Sequence, residues 1–232
     1  MIQLTENKNM TFLDIETGPW DRAAIFKPEF EAPKNIKDPL KIAQAIADKK
    51  QAWLDSLALD AKTGQVLVVG LLEGKDETFR ALEGDEKTIL QEVWAIWSDY
   101  KNRPFVGFNI LGFDLPFMIR RSYLNGIAVP PAFFQFSRYK TPDVIDVMKF
   151  WSLWSPEERI SLDNFSKFTS VGEKSGSGAE FAELYRTDRN KAMEYLKNDL
   201  GLTAAIFKSV LAGDSGKMKT LSLSDEMVMA ER

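Results

Sequence analysis

The sequence has no cysteine and no histidine in 232 residues. Without cysteine there is no disulfide, no thiolate nucleophile and no cysteine-ligated zinc. Without histidine the commonest general base is missing. The Ser-His-Asp and Cys-His arrangements and the HExxH metal site go with it. Catalysis must therefore run on carboxylates, tyrosine, lysine, arginine, hydroxyls or a hard metal ion held by oxygen ligands. Long apolar runs are also lacking. The best, VLVVGLL at 66–72, has strand length and falls well short of the roughly 20 residues of a membrane span. The opening residues MIQLTENKNM lack the charged-then-apolar pattern of a secretory signal, so the expected setting is cytoplasmic, with no membrane partner. Positive charge is not in excess: 30 Lys and Arg stand against 34 Asp and Glu, a net charge of −4. A nucleic-acid partner would need a local basic groove rather than a global field.

What is present suits a folded domain. Hydrophobic residues make up 44% and charged residues 28%, enough for a sizeable core. MTFLDIET predicts a first strand, ended by Gly18-Pro19. A long insert over 19–58 follows. Its first part is a proline-rich extended arm, and Asp38-Pro39 then supplies the N-cap and first-turn proline of a helix through about Leu57. GQVLVVGLLEG and ETFRAL predict a hairpin around Gly74-Lys75-Asp76. Asp85 caps a helix with Ile89, Leu90, Val93, Ile96 and Trp97 on one face. PFVGFN is a short strand, and FDLPFMIRRSYLNG a helix closed by Asn125-Gly126. VIDVMKF fits a strand or a helix start, and the pattern does not separate the two. Ser161 opens a short helix with Leu162, Phe165 and Phe168 inward, and GEKSGSG reads as a flexible loop. A final helix runs from about Asp188 to Leu211 on a stripe of Met193, Leu196, Leu200, Phe207 and Leu211. Interleaved strands and helices imply an α/β class, with one domain over 1–212 and a weakly patterned, mobile tail over 213–232.

Three acidic groups punctuate this pattern. Side chains alternate along a strand, so Asp14 and Glu16 share a face at the C-terminal end of the first strand, where α/β sheets bind ligands. Adjacent carboxylates repel and their pKa values rise unless a cation sits between them. Asp114 follows another strand, five residues after Asn109, and Tyr195 and Asp199 are stacked four apart on the last helix. Each has a plainer reading alone: a strand end emerging into solvent, an N-cap, and a solvated aspartate beside an amphipathic tyrosine.

In order, DIET, NILGFD and YLKND resemble the three exonuclease motifs of the DnaQ-like family in its DEDDy form, with a tyrosine in the third. The nearest likeness is the proofreading exonuclease domain of family B DNA polymerases, whose second motif has the Asn-x-x-x-Phe-Asp pattern of Asn109, Phe113 and Asp114. SLDNFSKFTSVGEKSG is similar to the segment before the third motif in stand-alone relatives. The resemblance runs from about 11 to 212; it departs in the insert at 19–58, and 232 residues hold no polymerase domain.

It implies a ribonuclease-H-like fold, a central mixed sheet flanked by helices, and metal-dependent 3′-to-5′ exonuclease hydrolysis of phosphodiesters. It carries Asp14, Glu16, Asp114 and Asp199 over as ligands of two divalent cations, Mg²⁺ or Mn²⁺, and Tyr195 as the residue positioning the attacking water. Lys174 matches a lysine that some relatives place near the scissile phosphate. Asn109 and Phe113 would contact the 3′-terminal nucleotide, although a core phenylalanine is a common fate. Arg120, Arg121 and Lys208 can touch phosphates or form solvated helix faces. The expected substrate is nucleic acid with a free 3′ end, single-stranded DNA first. The rivals are an exoribonuclease of the same superfamily and a catalytically silent module binding nucleic acid or a polymerase.

Overall fold

The computed structural model describes residues 10–74, 76–99, 104–135 and 144–211. The expected tail over 213–232 and Lys75 of the hairpin turn lie outside them. Among the described residues five strands form one mixed sheet. β1 (Thr11–Pro19) runs antiparallel to β2 (Gly64–Glu73), and β2 pairs antiparallel with β3 (Thr78–Glu83). On its other side β1 pairs parallel with the short β4 (Phe105–Gly107), which pairs parallel with β5 (Val144–Asp146). The spatial order is β3-β2-β1-β4-β5.

The inserted α1 (Pro39–Ser56) separates β1 from β2, with Asp38 accepting from the Leu40 amide as N-cap. α2 (Glu86–Asp99) and α3 (Asp114–Leu124) cover one face of the sheet. They pack Ile89, Leu90, Val93, Leu115 and Met118 against Leu13, Ile15, Val69 and Leu71. The opposite face carries α4 (Met148–Ser152), α5 (Leu162–Phe168), α6 (Phe181–Thr187) and α7 (Arg189–Leu211). There Phe165, Phe181, Leu196 and Leu200 close on Phe12, Val68 and Leu72. The two faces of β1 thus sort by alternation, Leu13 and Ile15 to one core and Phe12 to the other. Each fully buried Leu, Ile or Phe contributes roughly 1.5–3 kcal/mol.

Several elements differ from expectation. VIDVMKF is strand and helix in turn, β5 to Asp146 and α4 from Met148. Gly18 and Pro19 are the last residues of β1, still paired with β2, and not a break that follows Thr17. α2 also buries Trp94, whose indole N–H donates to Ser122 Oγ at 2.8 Å; that hydrogen bond makes an interior indole tolerable. Phe168 does not face inward. α5 ends at it, past the buried Phe165 and Ser166, and it is 65% exposed.

Candidate active site

β1 delivers the first pair of acids. Asp14 lies opposite Gly70 of β2, where a Cβ would meet Leu196 and Leu200 of α7 at 2.8 Å. A residue without a side chain there lets α7 lie directly on the sheet. Glu16 pairs with Val68 and Thr17 with Val66, so Leu67 bulges out of the ladder beside the acids. Bulges commonly re-aim side chains next to active sites. Pairing of β1 with β4 covers only Thr11 and Phe12, which leaves the Ile15 amide without a strand partner. Asp114, at the start of α3, takes it: its Oδ1 accepts from Ile15 N–H at 3.0 Å.

α7 brings Tyr195 and Asp199, both buried, over the end of β1. Carboxylate oxygens of Asp14, Glu16 and Asp199 all lie within 4.8 Å of one another. Asp114 stands outside that triple but lines the same open cleft, of about 480 Å³, together with Asn109, Phe113, Lys174 and Tyr195. All eight residues expected at the site therefore meet in one place. Lys174 reaches in from the 172–178 loop, its ammonium 2.5 Å from Asp199 Oδ2 and 5.2 Å from the centre of the Tyr195 ring. The loop is held: Lys174 N–H donates to Asp163 Oδ1 at 3.2 Å, and a Cβ at Gly176 would stand 3.2 Å from the Tyr195 ring.

The charges are crowded. Enclosure, then the neighbouring Asp199, pushes the Asp14 carboxyl up to about 7, with Lys174 opposing. Glu16 is driven well above the ordinary carboxylate range by burial and by Asp14 and Asp199. Burial and Asp14 do the same to Asp114, and burial raises Asp199 against the pull of Lys174. Burial and the carboxylates of Asp199, Glu16 and Asp14 hold the Tyr195 phenol far above its usual range, so it stays protonated. Asp199 Oδ1 and Asn109 Oδ1 are buried and accept no hydrogen bond among the described residues. A dense all-oxygen donor set with an orphaned carboxylate oxygen fits hard divalent cations, and Asp14, Glu16 and Asp199 could hold one.

Asp146 escaped the sequence reading. Buried at the end of β5, it accepts from the amides of Asn109, Leu111 and Met148 at 3.0–3.2 Å. It thereby pins the turn in which Asn109 takes a left-handed φ of 58°. Its signal was an aspartate ending an apolar strand, the pattern already noted at Asp14. The basic residues sort differently from expectation. Arg121 is 1% exposed and donates through Nε and Nη2 to Glu86, so it faces no phosphate. The short apolar helix α3 turns that side inward, where Glu86 compensates the charge. Lys208 pairs with Glu77, while Arg120 is exposed.

The comparisons with known proteins agree with this architecture. Among solved structures, the chain is similar to the family B DNA polymerase from the hyperthermophilic archaeon Pyrobaculum calidifontis. The TM-score is 0.57 at 15% identity, over 88% of this chain and 24% of that polymerase. At that identity the likeness shows the fold alone, the ribonuclease-H-like α/β fold of a polymerase exonuclease domain. The chain spans about a quarter of the polymerase's length. No curated protein matches the sequence. The family model matching residues 56–211 is described as a predicted 3′-5′ exonuclease related to the exonuclease domain of PolB. Asp14 and Glu16 precede the matched span, and the sheet brings them to the matched residues. With more than half of its length matched, the chain belongs to this family of predicted exonucleases related to the PolB exonuclease domain.

Proposed function

We propose that the protein is a 3′-to-5′ exonuclease that hydrolyses phosphodiester bonds to nucleoside monophosphates, working from the free 3′ end of single-stranded DNA in the cytoplasm. The observation that carries this reading is the gathering of Asp14, Glu16 and Asp199 oxygens within 4.8 Å, in a cleft that also holds Asp114 and Tyr195. Two divalent cations, Mg²⁺ or Mn²⁺, held by these four carboxylates would stabilise charge on the attacking and leaving oxygens of an in-line displacement.

The chain's own groups do the rest. The Tyr195 hydroxyl, kept protonated, is a hydrogen-bond partner that orients the attacking water and not a base that deprotonates it. Lys174, whose ammonium pairs with Asp199, presents it to the scissile phosphate. Asn109 and Phe113 contact the terminal nucleotide, Phe113 by offering a ring face to the base. The insert over 19–58 acts as a flap. No residue of α1 is buried, and the helix packs on its own arm, with Phe30 and Trp53 rings 6.0 Å apart and Lys49 Nζ donating to Glu31 O. Slower hydrogen exchange in α1 when an oligonucleotide binds is the expected outcome; rates equal with and without it overturn the flap.

The test of the activity is digestion of 5′-labelled single- and double-stranded DNA and matched RNA, with Mg²⁺, Mn²⁺ or EDTA. A ladder shortening from the 3′ end, abolished by EDTA and fastest on single-stranded DNA, is expected. No cleavage with either metal, and no heat of metal binding in calorimetry, overturns the reading.

A further inference from the structure

A ridge of exposed rings continues one wall of the cleft. Trp151 on α4 and Phe168 at the end of α5 meet edge to face, ring centres 5.0 Å apart, and are 37% and 65% exposed. Beneath them Trp151 rests on the buried Phe165 at 5.6 Å, so the ridge has a firm base. Leu153, 81% exposed, extends it, in a turn where Leu153 and Trp154 take left-handed φ values of 46° and 69°. Neither side chain favours that conformation, and such outliers concentrate where structure serves function. The Lys149 ammonium lies 5.6 Å from the Trp154 ring, so the same end of α4 also carries positive charge.

The ridge and the cleft share their two helices. Met148, which begins α4, lines the cleft, as do Arg159, Ile160, Ser161 and Leu162 leading into α5. From Leu162 to Phe168 the helix advances about 9 Å at 1.5 Å per residue. A chain leaving the cleft along α5 arrives at the rings. The one carboxylate of α5, Asp163, is neutralised by Lys167 at 2.8 Å, and no ion pair among the described residues engages Arg159 at the cleft rim. Exposed rings near a guanidinium that no ion pair among the described residues engages suit a strand of bases and phosphates better than an aliphatic protein surface. Bases stack on aromatic rings whatever their sequence.

We propose that Trp151 and Phe168 form a stacking platform for single-stranded nucleic acid behind its 3′ terminus, with Arg159 holding a phosphate between platform and cleft. The proposal rests on the reading of the cleft as an exonuclease site. Phe168, mostly exposed at a helix end, is the residue to change. Steady-state hydrolysis of a dinucleotide and of a twelve-nucleotide DNA strand is compared for the wild type, Phe168→Ala, Phe168→Leu and Phe168→Trp. Phe168→Ala and Phe168→Leu should raise KM for the long strand about tenfold and leave its kcat unchanged. Dinucleotide kinetics should not move, and Phe168→Trp should match the wild type. An unchanged long-strand KM in Phe168→Ala, or full retention by the non-aromatic Phe168→Leu, overturns the platform and leaves the exonuclease reading standing. Equal losses on both lengths assign Phe168 to supporting the cleft, and a changed oligomeric state assigns the ridge to a second copy of the chain; either overturns the platform. A wild type that hydrolyses neither length overturns both readings together.

Discussion

Two sets of buried charge lie on either side of the sheet and are treated in opposite ways. Beneath α2 and α3, Arg121 donates to both oxygens of Glu86 at 2.7 and 2.8 Å and to Ala61 O at 3.1 Å, with its guanidinium 4.6 Å from the Trp20 ring centre. Glu86 also accepts from the Val66 amide and the Asn125 side chain. Every charge there has its counterpart. At the end of β1, four carboxylates share one ammonium, an aspartate oxygen has no hydrogen bond among the described residues, and each acid's pKa is raised. A folded chain tolerates a buried ion pair once it is satisfied. A set of carboxylates left short of positive charge is a standing repulsion, and it makes sense where a cation is to be received. The first set ties Trp20, at the start of the insert, and Ala61, just beyond its end, to the body; the second is the candidate site.

The comparison is broken most decisively by removing an acid. Asp14→Ala or Asp199→Ala should reduce hydrolysis to background while the metal-free protein melts no lower than wild type, because repulsion is relieved. Wild-type turnover with metal in excess would remove these residues from the site.

Arg121→Met should do the reverse. It strands the Glu86 carboxylate in the interior and should cost about 3–5 kcal/mol in urea unfolding. Combining it with Glu86→Leu should recover most of that loss. A single-variant cost below about 1 kcal/mol would mean that water reaches the pair.

Tyr195→Phe should keep metal binding and lower the rate roughly ten- to a thousandfold. Tyr195→His should restore part of it, rising with pH as the imidazole loses its proton near about 6.5. A Tyr195→Phe enzyme as fast as wild type, with chemistry rate-limiting, would make the residue a packing group.

The smallest effect is a pH slope. Asp14 titrates at about 7 in the fold against an ordinary 3.8, so between those values the folded state holds a proton that the unfolded state has lost. Its favourable contribution is therefore complete below about pH 4 and is lost as pH rises toward 7. In EDTA, the melting temperature of Asp14→Asn should gain on wild type across that window, and Mg²⁺ should narrow the gap at the upper end. A difference independent of pH would mean that the Asp14 carboxyl is not strained by its neighbours.

Legibility followed distance along the chain. The Asp38-Pro39 start of α1 and the Asn125-Gly126 end of α3 were readable because caps act within a few residues. Phe168 departs from its expected inward position because an apolar residue at helical spacing is inward only if something covers that turn. Arg121 departs from expectation for a similar reason: its partner Glu86 is 35 residues away, and no local pattern announces it.

By itself the sequence determined the chemistry open to this protein. The lack of histidine and cysteine left carboxylates and a tyrosine to do the work, strand alternation set Asp14 and Glu16 on one face, and helical spacing stacked Tyr195 over Asp199. Only the tertiary structure decided which of these groups meet. Gly70 lets α7 down onto β2 so that Asp199 reaches Asp14, and Asp114 closes on the Ile15 amide left open where β4 stops pairing. Lys174 enters through a glycine-rich loop, and Asp146 pins the Asn109 turn. Those meetings depend on close packing between segments up to 185 residues apart (Asp14 to Asp199), and spacing along the chain carries no record of which surfaces fit.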